Sequence, residues 1–107
     1  MSFNVLATSL FEKELKALIK KYPSTVSDIS QLVSTLKKEP TTGTSLGKDC
    51  YKIRMAISAK GKGKSGGARV ITCVKVVNNN VYLLSIYDKS DKDSIDDTML
   101  TRLIKAI

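Results

Sequence analysis

The chain contains no histidine and no tryptophan, and only two cysteines, among 107 residues. Without histidine it lacks the side chain that most often acts as a general acid or base near neutral pH. No cluster of cysteine and carboxylate side chains has the spacing of a metal site, so we expect neither a metal ion nor another cofactor. No signal peptide and no apolar run of about 18 residues is present, which predicts a cytoplasmic protein that does not enter a membrane.

The two cysteines, Cys50 and Cys73, both lie in segments with the alternating pattern of strands. A hairpin that closes near residues 59–67 would not place them opposite each other, so we do not expect a disulfide. We expect two small, apolar side chains in the reducing environment of the cytosol.

Acidic residues are also scarce: 18 lysines and arginines outnumber 10 aspartates and glutamates, for a net charge of +8. Seven of the basic residues fall between Lys48 and Arg69, where the only acidic residue is Asp49. The balance reverses between Asp88 and Asp97, where five aspartates outnumber two lysines. A basic patch of this kind indicates a polyanionic partner, most often a nucleic acid, and the alternative is a charge that serves solubility alone.

The N-terminal half predicts two helices after a short strand at residues 2–8. Apolar residues recur at helical intervals from Ser9, the expected N-cap, to Pro23, and again from there to Pro40. Residues 41–47 are predicted to form a loop. The two helices are expected to form an antiparallel hairpin.

The C-terminal half predicts three strands and a final helix. Alternating or β-branched residues mark strands at 50–58, 68–77 and 81–87, separated by a glycine-rich segment and by three asparagines. An amphipathic helix follows, with Ser94 as the expected N-cap. The predicted fold is a single α+β domain, residues 1–107, with the helices on one face of a small antiparallel β-sheet.

The glycine-rich segment KGKGKSGGAR, residues 60–69, has some features of a phosphate-binding loop. The nucleotide-binding motif, however, requires a glycine where this chain has Ser58, and a helix directly after the loop. Here the segment leads into a predicted strand, which excludes that motif. We predict a flexible hairpin tip that uses Lys60, Lys62 and Lys64 to contact phosphates, and the alternative is a solvated turn.

The segments CYKIRMAISAKGKGKSGGARVI and VYLLSIYDK resemble the RelE/ParE superfamily of type II toxins, and most closely its RelE/HigB-like branch. The resemblance covers nearly the whole chain. It implies a RelE-like fold and a metal-independent endoribonuclease, an mRNA interferase that cleaves messenger RNA on the ribosome and inhibits translation. It also implies that a cognate antitoxin protein, the ribosome and messenger RNA are the partners.

Several basic residues match positions of this family. Lys52 and Arg54 match the two basic positions on the strand that lines the active groove of RelE-type toxins, and Arg69 matches the basic position at the start of the next strand. Lys89 falls in the basic segment after the last central strand, beside Tyr87.

The chain also departs from the family pattern at three points. RelE has an arginine where this chain has Ser90, and its C-terminal catalytic tyrosine falls near Ile95 here. The histidines of some HigB toxins are absent. Tyr87 is the candidate to replace the missing tyrosine.

Cleavage of RNA does not require histidine, because RNA supplies its own 2′-hydroxyl nucleophile. Cations crowded around one phosphate stabilise the phosphorane and lower the pKa of a lysine among them. Lys52 is therefore the candidate general base, while Arg54 and Arg69 would stabilise the phosphorane and Lys89 would stabilise charge or protonate the leaving group. This assignment requires Arg69 to lie opposite an even-numbered residue of the strand that carries Lys52.

Two other functions stay open. A ParE-like toxin inhibits DNA gyrase by protein contact, and a degenerate member of the family binds nucleic acid or its antitoxin without cleavage. For every toxin reading we expect an antitoxin segment, acidic or helical, that covers the basic groove or displaces the C-terminal helix with its Met99, Leu103 and Ile107.

Overall fold

The computed structural model describes residues 2–92 and 94–107, which form five strands and three helices. Their order is β1 (Asn4–Ala7), α1 (Ser9–Lys21), α2 (Thr25–Lys38), β2 (Thr44–Gly47), β3 (Cys50–Met55), β4 (Ala68–Lys75), β5 (Asn80–Asp88) and α3 (Asp97–Ile104). The α+β class is confirmed, but β2 forms within residues 41–47, which were predicted to be a loop. None of the helices in the described segments is long and apolar enough to cross a membrane. The predicted domain, 1–107, and the acidic segment, 88–97, include Met1 and Asp93, which lie outside the described residues.

Two of the predicted helix caps are wrong by one or two residues. Thr8 rather than Ser9 precedes α1, and its hydroxyl accepts a hydrogen bond from the amide of Phe11 at 3.2 Å. The same hydroxyl lies 3.1 Å from the carbonyl oxygen of Leu83, so contact with the sheet helps to fix the cap at this residue. At α3 the cap is the carboxylate of Asp96, a side chain that also favours the positive end of the helix dipole.

The sheet is mixed, with the strand order β1-β5-β4-β3-β2. β1 runs parallel to β5, whereas the other neighbouring strands are antiparallel, so the prediction of a wholly antiparallel sheet is wrong at this edge. The hairpin of α1 and α2 and three further strands separate β1 from β5, a connection long enough to permit a parallel pair. Strand periodicity alone carries no information on this pairing.

Helices cover both faces of the sheet, which corrects the prediction that they share one face. The face with α1 and α2 has the larger apolar cluster, which includes Phe11, Leu18, Ile29, Leu36, Ile53, Val70, Val81 and Leu83. On the opposite face, Leu100 and Leu103 of α3 pack with Cys50, Ile71, Cys73 and Leu84. β4 is therefore buried on both faces, which explains its nearly continuous run of apolar residues.

The two cysteines lie directly opposite each other on β3 and β4, so the prediction that they would be offset is wrong. Both are buried, free thiols. They meet because the paired strands end at Met55 and Ala68, which leaves residues 56–67 as the connection. Burial, reinforced by the neighbouring Cys73, raises the pKa of Cys50 to about 12.

Candidate functional site

The register of three neighbouring strands places Arg54, Arg69 and Tyr87 in one row across the sheet. Arg54 of β3 is paired with Arg69 of β4, which is paired with Tyr87 of β5. Arg69 therefore lies opposite an even-numbered residue, as the proposed site requires. Lys52 shares the face of Arg54 because the two are separated by one residue of the strand. We call these four residues, Lys52, Arg54, Arg69 and Tyr87, the basic row.

The basic row lies on the face of the sheet that carries α3. Tyr87 belongs to the same apolar cluster as Leu100 and Leu103 of that helix. The helix therefore borders the site, and a change in the position of α3 would alter the surroundings of the row.

Arg54 and Lys52 are the accessible cations of the basic row, since Arg54 is exposed and Lys52 is half-buried. Within residues 2–92 and 94–107, neither side chain has an ion-pair partner. The directly opposed Arg54 and Arg69 carry like charges, an arrangement that disfavours folding. Uncompensated charge of this kind on a sheet indicates a site for an anionic ligand.

Arg69 differs from Arg54 because it is buried, with only 2% of its surface exposed. Its Nη1 donates to the carbonyl oxygens of Lys64, at 3.0 Å, and of Ala68, at 3.1 Å. Its Nη2 donates to the carbonyl oxygen of Ser65 at 3.3 Å. The guanidinium therefore binds the backbone of the glycine-rich loop, residues 56–67, which joins β3 to β4. It also adds positive charge to the basic row from a buried position.

Tyr87 is also buried, with 7% exposed, and its ring lies 4.8 Å from the ammonium of Lys92. Lys89 is exposed, and its amide donates to the carbonyl oxygen of Gly67 at 2.9 Å. Ser90, which stands where RelE has an arginine, donates from its amide and its hydroxyl to Asp88. This segment thus ties the end of β5 to the glycine-rich loop.

The glycine-rich loop, residues 56–67, was predicted as a flexible hairpin tip, and it contains short turns and hydrogen bonds to other elements. It contains two 3₁₀ turns, at Ser58–Lys60 and Lys64–Gly66. Ser58 donates from its amide and its hydroxyl to the carboxylate of Asp28 on α2. Gly67 is required at the end of the loop because a Cβ there would lie 2.1 Å from the carbonyl oxygen of Met55.

Lys60 is not equivalent to the other two loop lysines. Its ammonium donates to the carboxylate of Asp88 at 2.7 Å, and the side chains of Lys60 and Asp88 are only 10% and 3% exposed. The ammonium also lies 5.5 Å from the ring centre of Tyr22. Burial would raise the pKa of Asp88, but the hydrogen bonds from Lys60 and Ser90 outweigh it and lower the pKa to about 2. Lys60 is therefore paired with a buried carboxylate, whereas Lys62 and Lys64 are exposed, and the contact of all three lysines with RNA phosphates stays a prediction.

The sequence analysis missed the two aspartates that anchor the loop. They are Asp28, on α2, and Asp88, which the sequence shows only as the start of a segment rich in aspartate. The sequence offers one signal for Asp88, which directly follows the apolar strand VYLLSIY. A carboxylate buried at the end of such a strand requires a cationic partner. Among the described residues, 2–92 and 94–107, no group of three or more potential ligand side chains is placed to hold a metal ion.

Comparison with protein families gives one match over nearly the whole chain. The family model described as the RelE toxin of the RelE/RelB toxin–antitoxin system matches residues 5–106. No curated protein sequence matches this chain.

Solved structures of similar fold include two of the Escherichia coli toxin RelE and one of a toxin–antitoxin complex. The free E. coli RelE with two arginines replaced by alanine aligns with a TM-score of 0.66, 16% identity and coverage of 100% of this chain and 99% of that one. The isolated E. coli RelE aligns with a TM-score of 0.60 and 16% identity, with coverage of 99% of this chain and 100% of that one. The Mycobacterium tuberculosis RelBE2 toxin–antitoxin complex aligns with a TM-score of 0.64 and 16% identity, with coverage of 82% of this chain and 99% of that one.

Proposed function

As the chain belongs to the RelE family of type II toxins, we propose that it is a ribosome-dependent endoribonuclease that cleaves messenger RNA in the cytoplasm and so inhibits translation. The observation that carries this proposal is the basic row. Two cations without ion-pair partners among the described residues stand on one face of the sheet beside a buried arginine and a tyrosine.

In the proposed reaction, Lys52 is the general base that takes the proton of the 2′-hydroxyl. The 2′-oxygen then attacks the adjacent phosphorus, and the bond to the 5′-oxygen breaks, which leaves a 2′,3′-cyclic phosphate and a 5′-hydroxyl. The guanidinium of Arg54 donates two hydrogen bonds to the non-bridging oxygens of the phosphate as negative charge develops on them. Lys89 or Tyr87 gives the proton to the leaving 5′-oxygen.

Arg69 has a supporting part in this proposal. Its guanidinium is directed at the carbonyl oxygens of Lys64 and Ser65, so its main contribution is to fix the loop that presents Lys62 and Lys64. Those two lysines would bind the backbone of the RNA. This division replaces the expectation of two equivalent arginines around one phosphate.

The test is induced expression followed by mapping of messenger RNA 5′ ends. We expect cuts within translated regions for the wild type and none for Lys52→Ala. Lys38→Ala, which removes an exposed lysine at the end of α2, is the matched control and is expected to cut normally. A wild type that arrests growth without new 5′ ends would disprove the nuclease function and favour contact with gyrase.

The burial of Arg69 gives specific support to one alternative, a member of the family that binds RNA without cleavage. A site with one accessible arginine has less charge to stabilise a phosphorane than a site with two. Purified toxin that binds ribosomes with the affinity of an active relative, yet leaves the messenger intact, would establish this alternative.

A cognate antitoxin is the proposed protein partner, as in the M. tuberculosis complex of similar fold. We expect it to cover the basic row or to displace α3, which has eight residues and buries Leu100 and Leu103. Hydrogen exchange of the complex should show altered protection at α3 or the row. Unchanged exchange at both places would exclude this mode of inhibition.

A further inference from the structure

We propose that a cavity beside the open edge of β3 binds a base of the RNA next to the phosphate that Arg54 contacts, and that it gives the toxin a sequence preference. This inference rests on the proposed RNA-binding function. The cavity has a volume of about 340 Å³ and lies among residues of α2, the segment before β2, β3 and the glycine-rich loop. Its volume is at the lower end of the range of about 300–1,000 Å³ for small-molecule sites.

The cavity exists because β2 is short. β2 pairs with β3 only at Cys50–Lys52. Ile53–Met55 is paired with β4 on one side, and among the described residues its other side has no partner strand. α2 passes along this edge and supplies the opposite wall of the cavity. Ile53 and Met55 face α2 and line the cavity, and Arg54, which stands between them on this open edge, also contributes to the lining.

The lining combines the chemical groups that an unstacked base requires. Leu32, Ile53 and Met55 provide an apolar surface, and Arg54 and Lys64 provide positive charge. Proteins recognise single-stranded RNA by stacking its bases on aromatic rings or on the planes of arginine side chains, and by hydrogen bonds to the base edges. An arginine can present its flat face to a base and its donors to a phosphate.

The hydrogen-bonding groups of the cavity favour bases that donate. The hydroxyl of Thr35 already donates to the carbonyl oxygen of Gln31 at 3.2 Å, and that of Thr42 to Glu39 at 2.6 Å. Both oxygens are therefore left as acceptors, and the carboxylate of Asp28 adds further acceptor positions. Such a site matches the exocyclic amino groups of adenine, cytosine and guanine, which uracil lacks.

Nuclear magnetic resonance of the ¹⁵N-labelled protein tests this inference without any need for cleavage. The probes are AMP, UMP and ribose 5-phosphate. We expect AMP to shift the amides of Leu32 and Ile53 saturably and to bind about three- to tenfold more tightly than UMP, as one added hydrogen bond predicts. Ribose 5-phosphate should shift Arg54 and Lys64 but not Leu32.

Variants separate base recognition from general charge. Thr35→Val and Gln31→Ala each remove a polar side-chain group from the lining of the cavity. Each should reduce the preference for AMP over UMP by about three- to tenfold. Ser34→Ala is the matched control, because Ser34 is an exposed neighbour on α2 that does not line the cavity. We expect it to keep the preference of the wild type.

The outcomes distinguish this inference from the proposed function. Equal binding of AMP and UMP, or an absence of shifts at Leu32 and Ile53, overturns it even if the toxin cleaves messenger RNA. A cavity that takes up the antitoxin chain but none of the nucleotides overturns it in favour of protein binding. Selective AMP binding by a toxin that makes no cuts supports the inference and contradicts the nuclease function.

Discussion

At the scale of single residues, the basic row contains two arginines that stand opposite each other and have different surroundings. Arg54 is exposed, whereas Arg69 is buried beneath the loop and donates three hydrogen bonds to backbone carbonyl oxygens. In the proposed function, Arg54 therefore acts on the substrate, whereas Arg69 fixes the position of the glycine-rich loop. Substitutions at the two sites should separate these roles.

We expect Arg54→Ala to reduce the cleavage rate by on the order of 10²–10³, because it removes a donor to the developing charge. Its melting temperature should stay close to that of the wild type, since the side chain is exposed. Arg69→Ala should lose both activity and stability, because the carbonyl oxygens of Lys64 and Ser65 lose their donors. Rates on programmed ribosomes and thermal unfolding check both, and an Arg69→Ala protein with wild-type stability and activity would contradict this division.

Tyr87→Phe tests whether the hydroxyl of Tyr87 takes the place of the absent C-terminal tyrosine. The variant keeps the ring beside Lys92, so we expect the fold and ribosome binding to be retained. The cleavage rate should fall by on the order of 10², as for the loss of a general acid. Tyr82→Phe, on the same strand, is the control. Equal rates for the two variants would assign the proton transfer to Lys89.

At the scale of elements, the glycine-rich loop is held at several points. Asp28 of α2 binds Ser58, Asp88 of β5 binds Lys60, and Arg69 of β4 binds the second 3₁₀ turn. Glycines at 61 and 63 adopt positive φ angles between these anchors. The loop thus presents Lys62 and Lys64 from an anchored backbone, which would lower the entropy lost in their proposed binding to phosphate.

The buried ion pair of Lys60 and Asp88 should be costly to break on one side. Lys60→Met or Asp88→Asn alone leaves an uncompensated buried group, and we expect a loss of about 3–5 kcal/mol in the free energy of unfolding. The double variant should lose less than the sum of the single variants. Urea denaturation measures these values, and additive losses would show that the pair does not act as a unit.

Salt dependence of RNA binding distinguishes the three loop lysines. Lys62→Ala and Lys64→Ala should each reduce the slope of log K against log salt by about 0.7, the value for one contact to single-stranded nucleic acid. Lys60→Ala should leave the slope unchanged, because its ammonium is already paired with Asp88. A fall in slope for Lys60→Ala equal to the other two would show that Lys60 leaves Asp88 to bind RNA.

At the scale of the whole molecule, residues 48–69 hold seven basic residues and one acidic residue of a chain with a net charge of +8. Two carboxylates from elsewhere in the chain, Asp28 and Asp88, bind the loop within this segment. In the proposed function, this positive charge would steer the RNA toward the basic row. Among residues 2–92 and 94–107, Asp88 is the buried carboxylate, and its charge is paired with Lys60.

Stability should therefore fall in acid. The pKa of Asp88 is about 2 in the folded protein, below its ordinary value of 3.8, so its contribution is fully present above about pH 4 and is lost as the pH falls toward 2. Thermal unfolding between pH 5 and pH 2, at roughly constant ionic strength, measures this loss. In Asp88→Asn the fall over this window should be smaller than in the wild type, and an equal fall would assign the acid sensitivity to other carboxylates.

The sequence by itself determined the features that depend on local periodicity. The alternation in YKIRMAI placed Lys52 and Arg54 on one face of a strand, and the apolar spacing predicted α1, α2 and α3. Ser58 in place of a glycine, and a strand pattern in place of a helix after the glycine-rich segment, excluded a nucleotide-binding loop. These conclusions rest on neighbours along the chain, which the sequence shows directly.

Only the tertiary structure decided which residues meet across the sheet. The row of Arg54, Arg69 and Tyr87 depends on the register of three strands, and that register depends on how residues 56–67 fold between their anchors. The pairing of Lys60 with Asp88, the parallel β1 and the position of α3 on the second face likewise join segments that are distant in the chain. Contacts of this kind have no local signal, because their free energy comes from burial and charge pairing that exist only after the elements have packed.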